Sequence, residues 1–303
     1  MPALLEAVIE YIEPRPGKRL IDCTVGGGGH MEGMALGMAG EGLILGIDRD
    51  PEAINAAQTR LASFGNLVRF RCGPFSRLKE LANGEGVSAA DGILFDFGVS
   101  FAQIDRADRG LSYRADGPLD MRMDPSRGEP ASELIARLTE AEIADILHRY
   151  GDEPRARAIA RQIARAPRRP RTTAELAALV IRVAPRPPEK TLSRVFQSFR
   201  IYINREIEEI EEALPAALDL LAPDGVLVTI AYHSLEDSVA KTFFRNEAKG
   251  CICPPGFPEC RCEHSPRVEL LTRRAVKPSE EEVSRNRRSR SARLRAARRL
   301  RNS

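Results

Sequence analysis

Nine residues, Asp22 to His30 (DCTVGGGGH), constrain the fold more than any other stretch of the chain. They leave the short apolar run Arg19-Leu20-Ile21 and lead into a helix-like segment. Four consecutive glycines carry an entropic cost, so the turn needs backbone geometry or a ligand approach that a Cβ would block. A second apolar stretch, Gly42 to Asp48 (GLILGID), ends in an acid about twenty residues further on. Strand, glycine turn, helix and acid together make a βαβ unit suited to an adenosine-containing cofactor, with Asp48 accepting the ribose hydroxyls. Asp48 could instead cap the helix that Pro51 begins, a role also open to Asp50. A phosphate loop is excluded, because no Gly-Lys-Ser/Thr follows. The nicotinamide fingerprint begun at Gly26 reaches Gly28 but meets Met31 where its third glycine belongs. A tight turn without a ligand remains the plain alternative.

The rest of the chain extends this pattern. Apolar spacing predicts a helix over Leu4 to Ile12, strands at Lys18 to Asp22, Gly42 to Asp48, Leu67 to Cys72 and Asp91 to Asp96, and helices between them. The alternation implies a parallel sheet covered on both faces. From Pro130 to Leu221 the pattern is helical: Glu140 to Tyr150, Ala156 to Ala166, Thr172 to Val183 and Thr191 to Leu221, separated by proline-arginine breakers. A fifth strand, Gly225 to Ala231, then resumes the sheet. The expected architecture is α/β, a doubly wound and mostly parallel sheet with an inserted all-helical domain. Residues 1–125 and 201–303 form the core and 126–200 the insert.

Charge is unevenly placed. The formal net charge is +3, yet residues 285 to 303 hold nine arginines and no acid, which leaves −6 for the rest. A second acid-free run, Arg155 to Arg171, holds seven arginines. One such run reads as a solvated helix face or a frayed tail. Two on an otherwise acidic chain favour a polyanionic partner, through counterion release. Glu6, Glu10 and Glu13 spoil a signal peptide, and no window reaches about 18 uninterrupted apolar residues, so the reading is cytosolic with no membrane partner. Cys251, Cys253, Cys260 and Cys262 crowd into twelve residues. They suit either a tetrahedral zinc site, with His264 able to replace one thiolate, or a loop of reduced thiols. The sequence therefore assigns no metal ligand.

The string from Asp96 to Asp124 (DFGVSFAQIDRADRGLSYRADGPLDMRMD) resembles the signature of the bacterial 16S ribosomal RNA cytosine-N4 methyltransferases, the MraW/RsmH family. The resemblance runs in order along nearly the whole chain, through DCTVGGGGH, GIDRDPEAI, CGPF, RVFQSFRIYINREI, YHSLED and KPSEEEVSRNRRSRSARLR. It implies a class I, Rossmann-like methyltransferase that uses S-adenosyl-L-methionine on 16S ribosomal RNA, in or on the small ribosomal subunit. It also implies that Gly28, Gly29 and His30 meet the cofactor at the turn, with Asp48 at the ribose, Phe75 beside the adenine, and Asp96 and Gln103 near the methionine end. Residue chemistry allows each role: glycine backbone permits close approach, a phenyl ring packs against a purine, and an acid or amide binds an ammonium. Phe75 could equally be core, and His30 merely a residue at a helix start. Phe101-Ala102 replaces the family's Ser-Pro before Gln103.

The N4 lone pair of cytosine is delocalised into the ring. A catalyst must favour pyramidal nitrogen, hold it in line with the methyl group and remove a proton. Asp96 is the expected acceptor, with Asp120 and His233 as alternatives. A related enzyme on another RNA or on DNA, or a non-catalytic assembly factor that keeps the cofactor fold, would share much of this pattern.

Overall fold

The computed structural model describes residues 2–253, 261–262 and 264–301, the side chains of residues 101 and 102 excepted. These residues divide into two compact units, Met1–Gly98 with Ile207–Ser303, and Val99–Glu206.

The first unit contains a seven-stranded sheet. Its strands are β1 (Arg19–Asp22), β2 (Leu43–Asp48), β3 (Val68–Cys72), β4 (Ala90–Asp96), β5 (Leu221–Ala231), β6 (Val268–Leu270) and β7 (Arg293–Arg299). They lie in the order β3-β2-β1-β4-β5-β7-β6. The first five are parallel, and β7 runs antiparallel to both β5 and β6. Alternation along each strand splits the core in two. Ile21, Ile93 and Phe95 join the cluster with Leu214, Leu218 and Phe244 on one face, while Leu20, Leu94 and Ile230 join Val8, Ile12, Met31 and Met34 on the other. Both faces are therefore apolar, as the near-continuous hydrophobic strands require. Truncating the fully buried Phe95 to alanine would cost about 3–5 kcal/mol.

The doubly wound expectation holds, and it undercounts the strands. Residues 293–299 read as part of a basic tail, yet they form β7, with Leu294, Ala296 and Ala297 buried. The arginines between them mask the apolar positions in the sequence, and ladder bonds to β5 supply the rest of the strand's stability.

The second unit carries the helices Ala131–Arg137, Glu140–Gly151, Ala156–Ala164, Thr173–Ile181 and Glu189–Asn204. The long helix expected from Thr191 to Leu221 is two helices, Glu189–Asn204 and Glu206–Leu220. Arg205 adopts a left-handed backbone (φ 51°) that ends the first. The helical unit starts at Val99, whereas the sequence reading begins the insert at residue 126. Segment 99–125 is tied to these helices by backbone and amide bonds: Leu119 N to Arg171 O (2.9 Å), Thr173 N to Gly117 O (3.0 Å), and both ends of the Asn204 amide to Met121 O and Met123 N (2.8 Å each). No helix among the described residues is long and apolar enough to cross a membrane.

Candidate active site

Ligands of open α/β sheets bind outside the carboxyl ends of the strands, where the strand order reverses. Here the reversal falls between β1 and β4. β1 ends at Asp22, β4 ends at Asp96, and the neighbouring β2 ends at Asp48.

The glycine turn connects these ends. Cys23 N donates to Leu94 O on β4 and Val25 N to Ile47 O on β2, each at 2.9 Å, so the turn is stitched to both neighbours. Gly28 has φ +79°, and a Cβ there would come within 3.1 Å of Leu61 Cδ1. The left-handed backbone therefore favours glycine at that position, and the packing is tight against a side chain there. Gly28 caps the helix Gly29–Gly37, whose second residue is His30. A Cβ on Gly27 would meet nothing within 4 Å, so the outer side of the turn has room for a ligand.

Each aspartate is held by backbone amides or by its neighbours. Asp48 Oδ2 accepts from Gly26 N and Oδ1 from Asp50 N, each at 2.9 Å. The helix-capping role falls to Asp50, whose Oδ1 accepts from Glu52 N at 3.0 Å. Asp22 is buried; its Oδ1 accepts from Thr24 N (3.1 Å) while Oδ2 has no hydrogen-bond partner. Asp96 N donates to Thr24 Oγ1 (2.6 Å), its carboxylate accepts from the Tyr232 hydroxyl, and Oδ1 is buried without a partner. Burial raises all three carboxyls, Asp22 and Asp48 to about 6 and Asp96 to about 7. The negative charges of Asp96 and Asp48 push Asp22 further in the same direction, against the pull of His30.

His30 is buried, and its Nε2 lies 2.9 Å from Ala3 O. A carbonyl only accepts, so Nε2 carries the hydrogen. Burial lowers the imidazole's pKa, and in the neutral ring the Nδ1 lone pair faces Asp96 Oδ2 at 3.5 Å. His30 is thus more than a residue at a helix start. Phe75 is half-buried, with its ring edge-on to Phe95 (5.6 Å between centroids) and tilted against Phe97 (6.2 Å).

The remaining expected residues have hydrogen-bond partners of their own. Gln103 belongs to the helical unit, where its Oε1 accepts from Ser100 N at 2.9 Å; the side chains of Phe101 and Ala102 beside it lie outside the described residues. Asp120, in the same unit, is bound by Arg122 through both oxygens (2.7 and 2.8 Å). His233 caps the helix Ser234–Glu247, accepting from Glu236 N at Nδ1 (3.5 Å) with Nε2 2.9 Å from Glu236 Oε1. Reading the sequence missed Asp22, Thr24 and Tyr232 as site residues. Asp22 carried the same signal as Asp48, an acid ending an apolar run, and Tyr232 precedes the histidine that drew attention instead.

Three carboxyls of raised pKa, two with buried orphan oxygens, favour a ligand that brings positive charge and disfavour the pyrophosphate of a dinucleotide. The α-ammonium and sulfonium of S-adenosylmethionine meet that requirement, so the residues fit this donor. With the sheet order and the antiparallel β7, these features define a class I, S-adenosylmethionine-dependent methyltransferase. The sequence model of the MraW methylase family matches residues 1–300, and the chain belongs to that family. It is similar to "Ribosomal RNA small subunit methyltransferase H" of Thermomicrobium roseum, 48% identical over 303 residues, covering 99% of this chain and 93% of the relative. The protein of the same name from Syntrophotalea carbinolica is 46% identical over 301 residues, covering 97% and 96%. Among solved structures, an rRNA methylase from Streptococcus thermophilus aligns over 99% of this chain and 98% of its own, at 11% identity and a TM-score of 0.43.

Proposed function

We propose that this chain transfers a methyl group from S-adenosylmethionine to N4 of a cytidine in 16S ribosomal RNA, acting on the small subunit or a precursor of it in the cytoplasm. The observation that carries the proposal is the convergence of Asp22, Asp48 and Asp96 on adjacent strand ends, with orphan oxygens on two of them. The names of the relatives supply the RNA.

When bound, S-adenosylmethionine supplies an activated methyl group and a neutral thioether leaving group. Asp22 Oδ2 and Asp96 Oδ1 offer lone pairs to cationic or N–H donors of the ligands, replacing water they have lost. Asp48 is pinned by two amides and keeps a lone pair on each oxygen for the ribose hydroxyls. Gly28 and Gly29 let the backbone approach the donor, and Phe75 offers its exposed side to the purine. Asp96 accepts an N–H of the cytosine amine, which favours the pyramidal nitrogen, and takes the proton as the N–C bond forms. A pKa of about 7 suits an acceptor at neutral pH. The Tyr232 hydroxyl orients the carboxylate, and the His30 Nδ1 lone pair accepts the proton's hydrogen bond once Asp96 holds it.

A cytosine amine inside a stacked duplex is out of reach, so the target is unpaired or flipped. The helical unit holds the RNA backbone, with exposed Arg157, Arg168 and Arg171 as phosphate contacts. Nucleoside mass spectrometry of 16S ribosomal RNA from a strain lacking this gene tests the reading. Loss of one N4-methylated cytidine, restored by the wild-type gene, is the expected result. An unchanged modification profile, or a change in another RNA or in DNA only, would overturn it.

A further inference from the structure

The connection from the helix Ser234–Glu247 to β6 spans residues 248–267 and holds no helix or strand among its described residues. Connections of this length without regular structure need a reason to hold their shape. Its base is closed by Arg267 N donating to Glu247 O at 2.7 Å. Its head contains Cys251, Cys253 and Cys262, whose three sulfurs all lie within 4.8 Å of one another.

None of the three is in a disulfide. Cys251 Sγ and Cys262 Sγ are 3.8 Å apart, far beyond the S–S bond length of about 2.05 Å. The separation has another meaning. Two thiolates on a tetrahedral zinc, each about 2.3 Å from the metal, stand about 3.8 Å from each other. Ile252 N also points at Cys262 Sγ, 3.5 Å away, a contact that stabilises a sulfur carrying negative charge. His264 is not among the clustered ligand atoms, and its Nε2 lies 3.0 Å from Asn246 O. Cys260, the fourth thiol of the sequence cluster, lies outside the described residues.

We propose that Cys251, Cys253 and Cys262 bind one zinc ion that staples the head of this loop. Each thiol gives up its proton to solvent on binding, and no oxidation or reduction is involved. Soft thiolates select zinc over the magnesium and calcium that oxygen ligands prefer. The site is structural and stands apart from the donor-binding strand ends in its chemistry, so it does not depend on the function proposed above.

The test is metal analysis of the purified full chain, kept reduced and incubated with zinc chloride before gel filtration. About one zinc per chain is expected, falling at least about tenfold in Cys251→Ser and Cys262→Ser. Cobalt(II) titration of the wild-type chain gives a readout that needs no variant. Thiolate-to-cobalt charge-transfer absorption of three or more sulfurs supports the site. No stoichiometric zinc in the reduced wild-type protein, or cobalt bound through two sulfurs or fewer, overturns it. Trypsin cleavage within 248–267, faster after chelation than before, is the expected structural consequence; an unchanged cleavage rate counts against the staple.

Discussion

Asp22, Asp48 and Asp96 lie far apart in the chain, yet the sheet order sets them on three neighbouring strand ends, with Asp22 in the middle feeling the charge of the other two. The nine arginines of residues 285 to 303 are crowded together in sequence, and the fold gives six of them partners elsewhere in the chain. Arg293 and Arg295 bind Asp237, Arg298 binds Glu269, Arg299 reaches the carbonyls of Asp219 and Leu221, Arg301 binds Asp224 and Arg285 binds Glu281. Strand pairing creates a concentrated negative site from isolated acids, and the fold gives six of the nine crowded arginines partners within the chain while Arg287, Arg288 and Arg290 stay exposed. The run from Arg155 to Arg171 is a third case. Arg155 and Arg169 each donate to a main-chain carbonyl and Arg161 and Arg165 share Glu140, but Arg157, Arg168 and Arg171 stay exposed at the surface of the helical unit.

This contrast can be broken at several points. The largest effect is expected at Arg295, which is 11% exposed and grips Asp237 with Nε at 2.7 Å and Nη2 at 3.2 Å. Arg295→Ala leaves a buried carboxylate with Arg293 alone and should lower unfolding stability by about 3 kcal/mol, read by urea denaturation. If stability is unchanged while RNA binding falls, the C-terminal arginines are an RNA-binding tail after all.

Next is the donor site itself. Asp22→Asn removes a charge from the acid group but keeps the amide bond from Thr24, and donor affinity by calorimetry should weaken about 10–100-fold. Unchanged affinity would mean the aspartates do not act together on the ligand.

pH tests the same coupling. The folded carboxyls titrate at about 6 and 7, above their unfolded value near 4, so the ligand-free fold holds extra protons between those limits. A cationic donor needs them ionised and must expel those protons. Its affinity should therefore fall at least about tenfold from pH 8 to pH 5.5. The fall should be steeper for S-adenosylmethionine than for S-adenosylhomocysteine, which lacks the sulfonium charge. Equal pH profiles for the two would remove the sulfonium from the account.

The smallest effect belongs to the helical unit. Arg168→Gln with Arg171→Gln should reduce the salt slope of RNA binding by about 2 with unfolding stability unchanged. An unchanged slope would move the RNA contacts elsewhere.

The βαβ core was legible because it depends on local signals: apolar runs, a glycine turn and acids at strand ends. Leu20 and Ile21 look alike in sequence and face opposite sides of the sheet, which a continuous apolar run cannot reveal. β7 was illegible because its stability comes from pairing with β5 across a long sequence separation, while its own composition is that of a tail. The break at Arg205 was hidden for a similar reason, since nothing in Tyr202-Ile203-Asn204-Arg205 stops a helix by propensity. Asp48 could be named from its position at a strand end, whereas Asp96 and Phe75 were named through the family resemblance. Tyr232 and Thr24 matter through contacts with Asp96, and contacts between distant segments have no periodicity to read.

The central claim is that Asp96 serves the chemistry as well as the donor. The most direct measurement is single-turnover methyl transfer from saturating labelled S-adenosylmethionine to undermethylated small subunits, comparing wild type with Asp96→Asn and identifying the product nucleoside. The account predicts N4-methylated cytidine from the wild type and a rate about 10²–10⁴-fold lower from the variant. A variant that methylates at near the wild-type rate, or label in a different nucleoside, would contradict it.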